Sequence, residues 1–391
     1  MNQRVFICTG DSFPHGNAGA NYIQYLALAL MEQQVEVVIL AQVKEGIVGQ
    51  NQTEAFYQGI RYINYEEKRF SKVPVFNRSG ITVQKILQER YQINSSDHLI
   101  LYSADYFFLN PLITFSKKRQ IPVHVCVTEH IPSYFYKYGI FNMNFLLREY
   151  THRQIIPKAT SIFPISQYLD NYFKSKNCRT LILPPMSDPF EYILNNKKLN
   201  QNIHLIYPSP PSKKDSLVTM LQGIVLLNNE ERARITLHLT GSSKQRLKDV
   251  LEQDSGLVDE LESNLIIHPW LTYPQLVKLY QSVDYLYFAR EKNQLTIANF
   301  PSKVPELLAH GVVPICSNVG DFATYLTDNK NAIIMEGCEA DVCCKSLQRV
   351  LKLDIKQRKM MRDNARKTAE NVFSFKNWGS KLCSHMEVRN D

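Results

Sequence analysis

Short, wholly apolar runs alternate along this chain with segments whose apolar residues recur at helical spacing. Val5-Phe6-Ile7-Cys8 predicts a first strand, and residues 21–32 predict the helix that follows it. Val35–Leu40, His98–Tyr102, Pro122–Val127 and Ser161–Ile165 read as further strands, rich in β-branched residues. A short helix is predicted from Gln167 and another strand over Thr180–Leu183. The proline-rich Pro184-Pro185-Met186-Ser187-Asp188-Pro189 then reads as a linker. The pattern restarts beyond it. Ile203–Tyr207, Arg234–Thr240, Leu265–His268, Tyr285–Phe288 and Val313–Cys316 predict strands, and residues 214–228 a helix. A last helix is predicted over residues 373–386. Continuous apolar strands alternating with helices predict an α/β chain with parallel, doubly wound sheets covered on both faces. At 391 residues, two domains are expected: 1–188, 189–372, and a terminal segment 373–391.

Composition narrows the class. The 44% hydrophobic and 11% aromatic content excludes a disordered chain, and no run approaches 18 consecutive apolar residues. The N-terminus reads as a strand, with no signal peptide visible. Eight cysteines without a C-x-x-C pair indicate neither a zinc site nor a disulfide framework, so a cytoplasmic protein with reduced thiols is expected. A net charge of +8 is too diffuse to point to nucleic acid. Its placement is uneven: residues 61–90 carry seven Lys/Arg against three Glu, and residues 117–179 ten against three acids. That pattern fits a solvated basic face, or attraction to anionic lipid or a phosphorylated acceptor.

Candidate chemistry concentrates in Asn299-Phe300-Pro301-Ser302-Lys303-Val304-Pro305-Glu306-Leu307-Leu308-Ala309-His310-Gly311. Phe300-Pro301-Ser302 reads as a loop entering a helix that Ser302 caps and Gly311 ends. A helix N-terminus offers N–H groups and positive potential to a diphosphate, and Lys303 adds a formal charge. Glu306, one turn on, can accept hydrogen bonds from ribose hydroxyls. An ordinary capped helix is the plain alternative.

This P-S-K-V-x-E-L-L-A-x-G run resembles the group 1 (family 4) retaining glycosyltransferases of the GT-B fold, and the likeness covers nearly the whole chain. It implies two Rossmann-like domains facing across a cleft, the C-terminal helix crossing back to the first domain. In that family two glutamates spaced E-x7-E flank the donor. Glu306 matches the second, the implied ribose ligand, while the first is Ala298 here. Arg290 or Glu291 stands near enough in sequence to substitute. Gly16 and Gly19, after the first strand, resemble the loop that faces the diphosphate. Lys214 resembles the basic residue that holds it, although Ser209 replaces the glycine of that motif and Asp215 follows the lysine. Glu129 and His130 end a strand where the family places an acidic residue or histidine near the sugar or acceptor. Ser166 resembles its I-S motif.

No D-x-D occurs, and no His, Asp or Cys cluster suggests a metal, so a metal-free site without a cofactor is expected. The resemblance thus implies transfer from a nucleoside diphosphate sugar, preferably a UDP-sugar, to a glycan or lipid-linked hydroxyl, with retention at C1. Glu129, His130 and Arg290 are the catalytic candidates. Gly16, Gly19, Lys214, Arg290, Ser302, Lys303 and Glu306 are the donor-binding ones. A peripheral contact at the inner membrane face is expected from Tyr134–Phe141, which mixes aromatic residues with Lys137. A sugar-nucleotide epimerase and a non-catalytic homologue are the alternatives.

Overall fold

The apolar runs assemble into two sheets, each in its own unit of the chain. A computed structural model describes residues 3–14, 18–43, 54–66, 79–191, 199–212 and 214–388. The first unit comprises Met1–Met186, Ala298–Phe300 and Phe375–Asp391; the second comprises Ser187–Ile297 and Pro301–Ser374.

The first sheet contains β1 (Arg4–Thr9), β2 (Glu36–Gln42), β3 (Glu54–Tyr57), β4 (Ile60–Tyr65), β5 (His98–Tyr102), β6 (Val123–Val127) and β7 (Ser161–Pro164). Their order is β3-β4-β2-β1-β5-β6-β7. All neighbours are parallel except the β3–β4 hairpin at the edge. That hairpin is absent from the sequence reading. Its turn is Gln58-Gly59, with φ of 47° and 79°, the left-handed pair that two-residue hairpins need. The second sheet contains β8 (Ile203–Tyr207), β9 (Ile235–Leu239), β10 (Leu265–Ile267), β11 (Tyr285–Phe288), β12 (Val313–Ser317) and β13 (Ile333–Met335), in the order β10-β9-β8-β11-β12-β13. Every pairing in it is parallel. Leaving aside β3, each sheet has the doubly wound 3-2-1-4-5-6 order. β6, β11 and β12 are buried at every position, as strands covered on both faces must be.

Three predicted elements differ. Thr180–Leu183 is not a strand: it runs beside β7 with one bridge, Ile162 to Thr180, before Pro184 and Pro185 stop further pairing. The helix expected over 214–228 is Leu217–Val225, because the loop after β8 extends to Ser216. The terminal helix is Gly379–Met386. It packs in the first unit against helix Ala18–Met31, where a Cβ on Gly379 would lie 2.1 Å from the Ala29 carbonyl oxygen. Only glycine permits that approach.

Histidines link neighbouring strands in both sheets. His98 Nδ1 lies 3.2 Å from His124 Nε2, and His124 Nδ1 lies 2.7 Å from Ser161 Oγ, across β5, β6 and β7. In the second sheet His204, His238 and His268 form a similar chain, at 3.2 and 3.0 Å. A nitrogen-to-nitrogen hydrogen bond needs one bare ring nitrogen, so the accepting ring of each such pair is neutral.

Candidate functional site

In a doubly wound sheet, ligands sit beyond the carboxyl ends of the strands where the strand order reverses. In the second unit that point lies between β8 and β11, beyond Tyr207 and Phe288. The two loops that leave there are tied together. Ser216 N–H donates to the Ala289 carbonyl at 2.9 Å. Arg290 Nε donates to Asp215 Oδ1 at 2.5 Å, and Tyr207 OH to Asp215 Oδ2 at 2.6 Å. The ion pair is nearly buried, with side chains 11% and 6% exposed. Burial and the neighbouring Asp215 charge raise the Tyr207 hydroxyl well above the usual tyrosine range. Arg290 is also held from behind, its N–H bonding Ser317 Oγ at the end of β12. Lys214 is exposed in the same loop as Asp215.

Helix Lys303–Ala309 runs back from this edge to β12, so its first turn lies at the carboxyl side of the sheet. It ends in a Schellman turn: Val312 N–H bonds the Leu307 carbonyl and Gly311 N–H the Leu308 carbonyl, with Gly311 at φ 70°. Its start corrects the sequence reading. Ser302 occupies the capping position in right-handed helical backbone, and its side chain makes no capping bond. Val304 N–H is taken by the Pro301 carbonyl, and Pro305 has no N–H. The first turn therefore offers an anion fewer backbone donors than a free helix end would. Lys303 does not stand alone either: its Nζ donates to Glu306 Oε2 at 2.9 Å. Glu306 is 9% exposed, and its other oxygen, Oε1, is buried without a hydrogen-bond partner among the described residues.

The family description "Glycosyl transferases group 1" matches residues 195–368, a span that includes Lys214, Asp215, Arg290, Ser302, Lys303 and Glu306. Over that span the chain resembles a group 1 glycosyltransferase domain. Solved structures of similar fold cover nearly all of it. A glycosyltransferase from Rickettsia africae is 13% identical over 99% of each chain, with a TM-score of 0.71. Sucrose-phosphate synthase from Thermosynechococcus elongatus is 13% identical over 98% of each, at 0.75. Anabaena HepE, solved with UDP and glucose, is 11% identical over 98% of this chain and 100% of its own, at 0.71. These likenesses establish the fold, GT-B. No curated protein sequence matches the chain.

The first unit places its candidates at the carboxyl edge of its own sheet. Gly16 lies outside the described residues. Gly19 has ordinary helical backbone in the first turn of helix Ala18–Met31. Glu129 and His130 follow β6. Arg148 Nη2 donates to Glu129 Oε1 at 2.6 Å, and His130 Nε2 lies 2.5 Å from Glu149 Oε1. Arg153 Nε holds the second Glu149 oxygen at 2.9 Å. These partners come from helix Met143–Tyr150 and the π-helical turn Thr151–Ile155. His152, in that turn, is fully buried, and neither ring nitrogen has a hydrogen-bond partner among the described residues. Burial first, then the nearby His130 and Arg148, lower its pKa well below the usual range, so it is neutral. Ser166 does cap helix Gln167–Lys174, and its hydroxyl donates to the Ala298 carbonyl at 2.9 Å. Asp215, Ser317 and Glu149 were not among the sequence candidates. Asp215 alone carried a signal there, as the acid that interrupts the lysine motif.

Proposed function

We propose that this glycosyltransferase moves a sugar from a nucleoside diphosphate sugar to a hydroxyl of a glycan or lipid-linked acceptor, with retention at C1. The observation that carries the donor reading is Glu306, whose buried Oε1 has no partner among the described residues. A buried carboxylate oxygen left unbonded is costly, and a vicinal diol would satisfy it. Glu306 then holds the ribose. Arg290, Lys214 and Lys303 stabilise the charge that develops on the departing diphosphate. The leaving phosphate takes the acceptor proton. A UDP donor draws support from Anabaena HepE, solved with UDP and glucose. Glu129 and His130 are the groups proposed to meet sugar or acceptor.

The chemistry is proposed to need no metal, since lysine and arginine supply the positive charge. Transfer from UDP-sugars should continue in EDTA; activity lost in EDTA and regained with Mg²⁺ or Mn²⁺ would contradict this. A second reading, a non-catalytic homologue, draws on Ala298, which is fully buried where the first family glutamate is expected. Absence of turnover with every nucleotide sugar, together with retained UDP binding, would favour it.

For the acceptor we propose a lipid-linked molecule met at the cytoplasmic face of a membrane. Of the seventeen exposed large hydrophobic residues described, eight fall between Tyr134 and Tyr150, including Tyr138, Phe141 and Met143. That segment follows β6 at the carboxyl edge of the first sheet. Lys117, Lys118 and Arg119 instead end the helix leading into β6, at the opposite edge. Residues 67–78 of the other basic stretch lie outside the described residues. The aromatic surface, more than the basic excess, therefore supports this contact.

A further inference from the structure

The Asp215 carboxylate poses an electrostatic problem. It sits at the switch point of the second sheet, one residue from Lys214 and bonded to Arg290. A negative charge there repels a diphosphate and so weakens ground-state binding. It is also buried, which is unfavourable unless paired and hydrogen-bonded. Both of its oxygens are in fact engaged, Oδ1 by Arg290 and Oδ2 by Tyr207, in contacts of 2.5 and 2.6 Å. The pair joins residues 75 positions apart in sequence and bridges the two loops between which the strand order reverses.

We infer that Asp215 is a positioning residue that fixes the Arg290 guanidinium for the departing diphosphate. Asp215 engages Nε, whereas an arginine fork recognises phosphate through its terminal Nη groups as well. With Nε anchored to one loop, the backbone N–H to Ser317 and the guanidinium carbon 5.5 Å from the Phe288 ring centroid, the side chain has little rotational freedom. Preorganised charge of this kind acts without reorganisation as the leaving group forms. The arrangement accepts weaker ground-state binding in exchange for a fixed cation in the transition state. This inference rests on the donor reading above.

The test is Asp215→Asn in the full chain, with UDP affinity measured by calorimetry and UDP-sugar kinetics measured alongside. The amide keeps the shape, removes the charge and loosens Arg290. We expect kcat to fall tenfold or more while UDP binds equally well or more tightly. Asp215→Glu should recover part of the loss. A kcat unchanged in Asp215→Asn would overturn the inference, as would equal losses in kcat and UDP affinity. Should Asp215→Asn fail to fold, Arg290→Gln/Asp215→Asn buries no unpaired charge and can be compared with Arg290→Gln. The two should share the same low kcat; a further tenfold loss in the double variant would show that Asp215 acts independently of Arg290. Arg290→Gln with full activity would overturn this inference and leave the donor reading standing, whereas no UDP binding by the unsubstituted chain would overturn the donor reading itself.

Discussion

Glu306 combines a lysine partner on one carboxylate oxygen with an unpartnered, buried second oxygen. If ribose hydroxyls complete it, Glu306→Gln should weaken UDP binding by about 1.5–3 kcal/mol, the range for hydrogen bonds to charged groups. That is roughly ten- to a hundredfold in Kd, readable by calorimetry, and unchanged affinity would remove Glu306 from the donor site. The identity of this residue was legible in the sequence, because the helix-entry motif and its spacing are local. Its ion pair with Lys303 follows from the same i, i+3 spacing. The Asp215–Arg290 pair was not legible: it depends on which strands become neighbours, and the loop contacts of a parallel sheet join distant segments. The lost capping role of Ser302 has a local cause, Pro305, whose missing N–H the sequence already displayed.

At the scale of elements, the continuous β-branched runs announced most strands, since a strand buried on both faces has no polar alternation to obscure it. The β3–β4 hairpin escaped because it is short and lies at an edge, although Gln58-Gly59 marked its turn. The histidine chains between strands give an element-level prediction. Burial lowers the pKa of His98, and burial with the neighbouring His98 holds His124 well below the usual value. A histidine depressed in the folded state contributes stability above its unfolded pKa near 6.5, and loses it as pH falls below that value. His310 behaves alike, lowered to about 4 by burial and then by Arg366. Urea midpoints should therefore drop between pH 7 and 5, and His124→Gln should flatten that slope for the first unit. A midpoint independent of pH across this window would contradict the neutral-histidine description. The terminal helix offers a second check. Gly379→Ala places a methyl against the Ala29 carbonyl and should cost about 1–3 kcal/mol, read as a lower urea midpoint.

For the whole molecule, the α/β class and the presence of two sheets were legible from periodicity, whereas the strand orders were not, because periodicity says nothing about adjacency. The same limit applies to the surface. The sequence showed a basic, aromatic first half, but only the fold separates Tyr134–Tyr150 from Lys117–Arg119 on opposite edges of the sheet. Vesicle co-sedimentation should accordingly persist at moderate salt and weaken in Phe141→Asp. Binding abolished by salt alone and unaffected by that substitution would point to the basic residues instead. Binding of a nucleoside diphosphate by the second unit can be read from thermal denaturation of the full chain with UDP, GDP and ADP. A ligand at a hundred times its Kd stabilises the folded state by about 2.7 kcal/mol, a shift of roughly 5–10 °C for a domain of this size. UDP should give such a shift, reduced in Glu306→Gln; no shift with any of the three at millimolar concentration would exclude nucleoside diphosphate binding by the second unit.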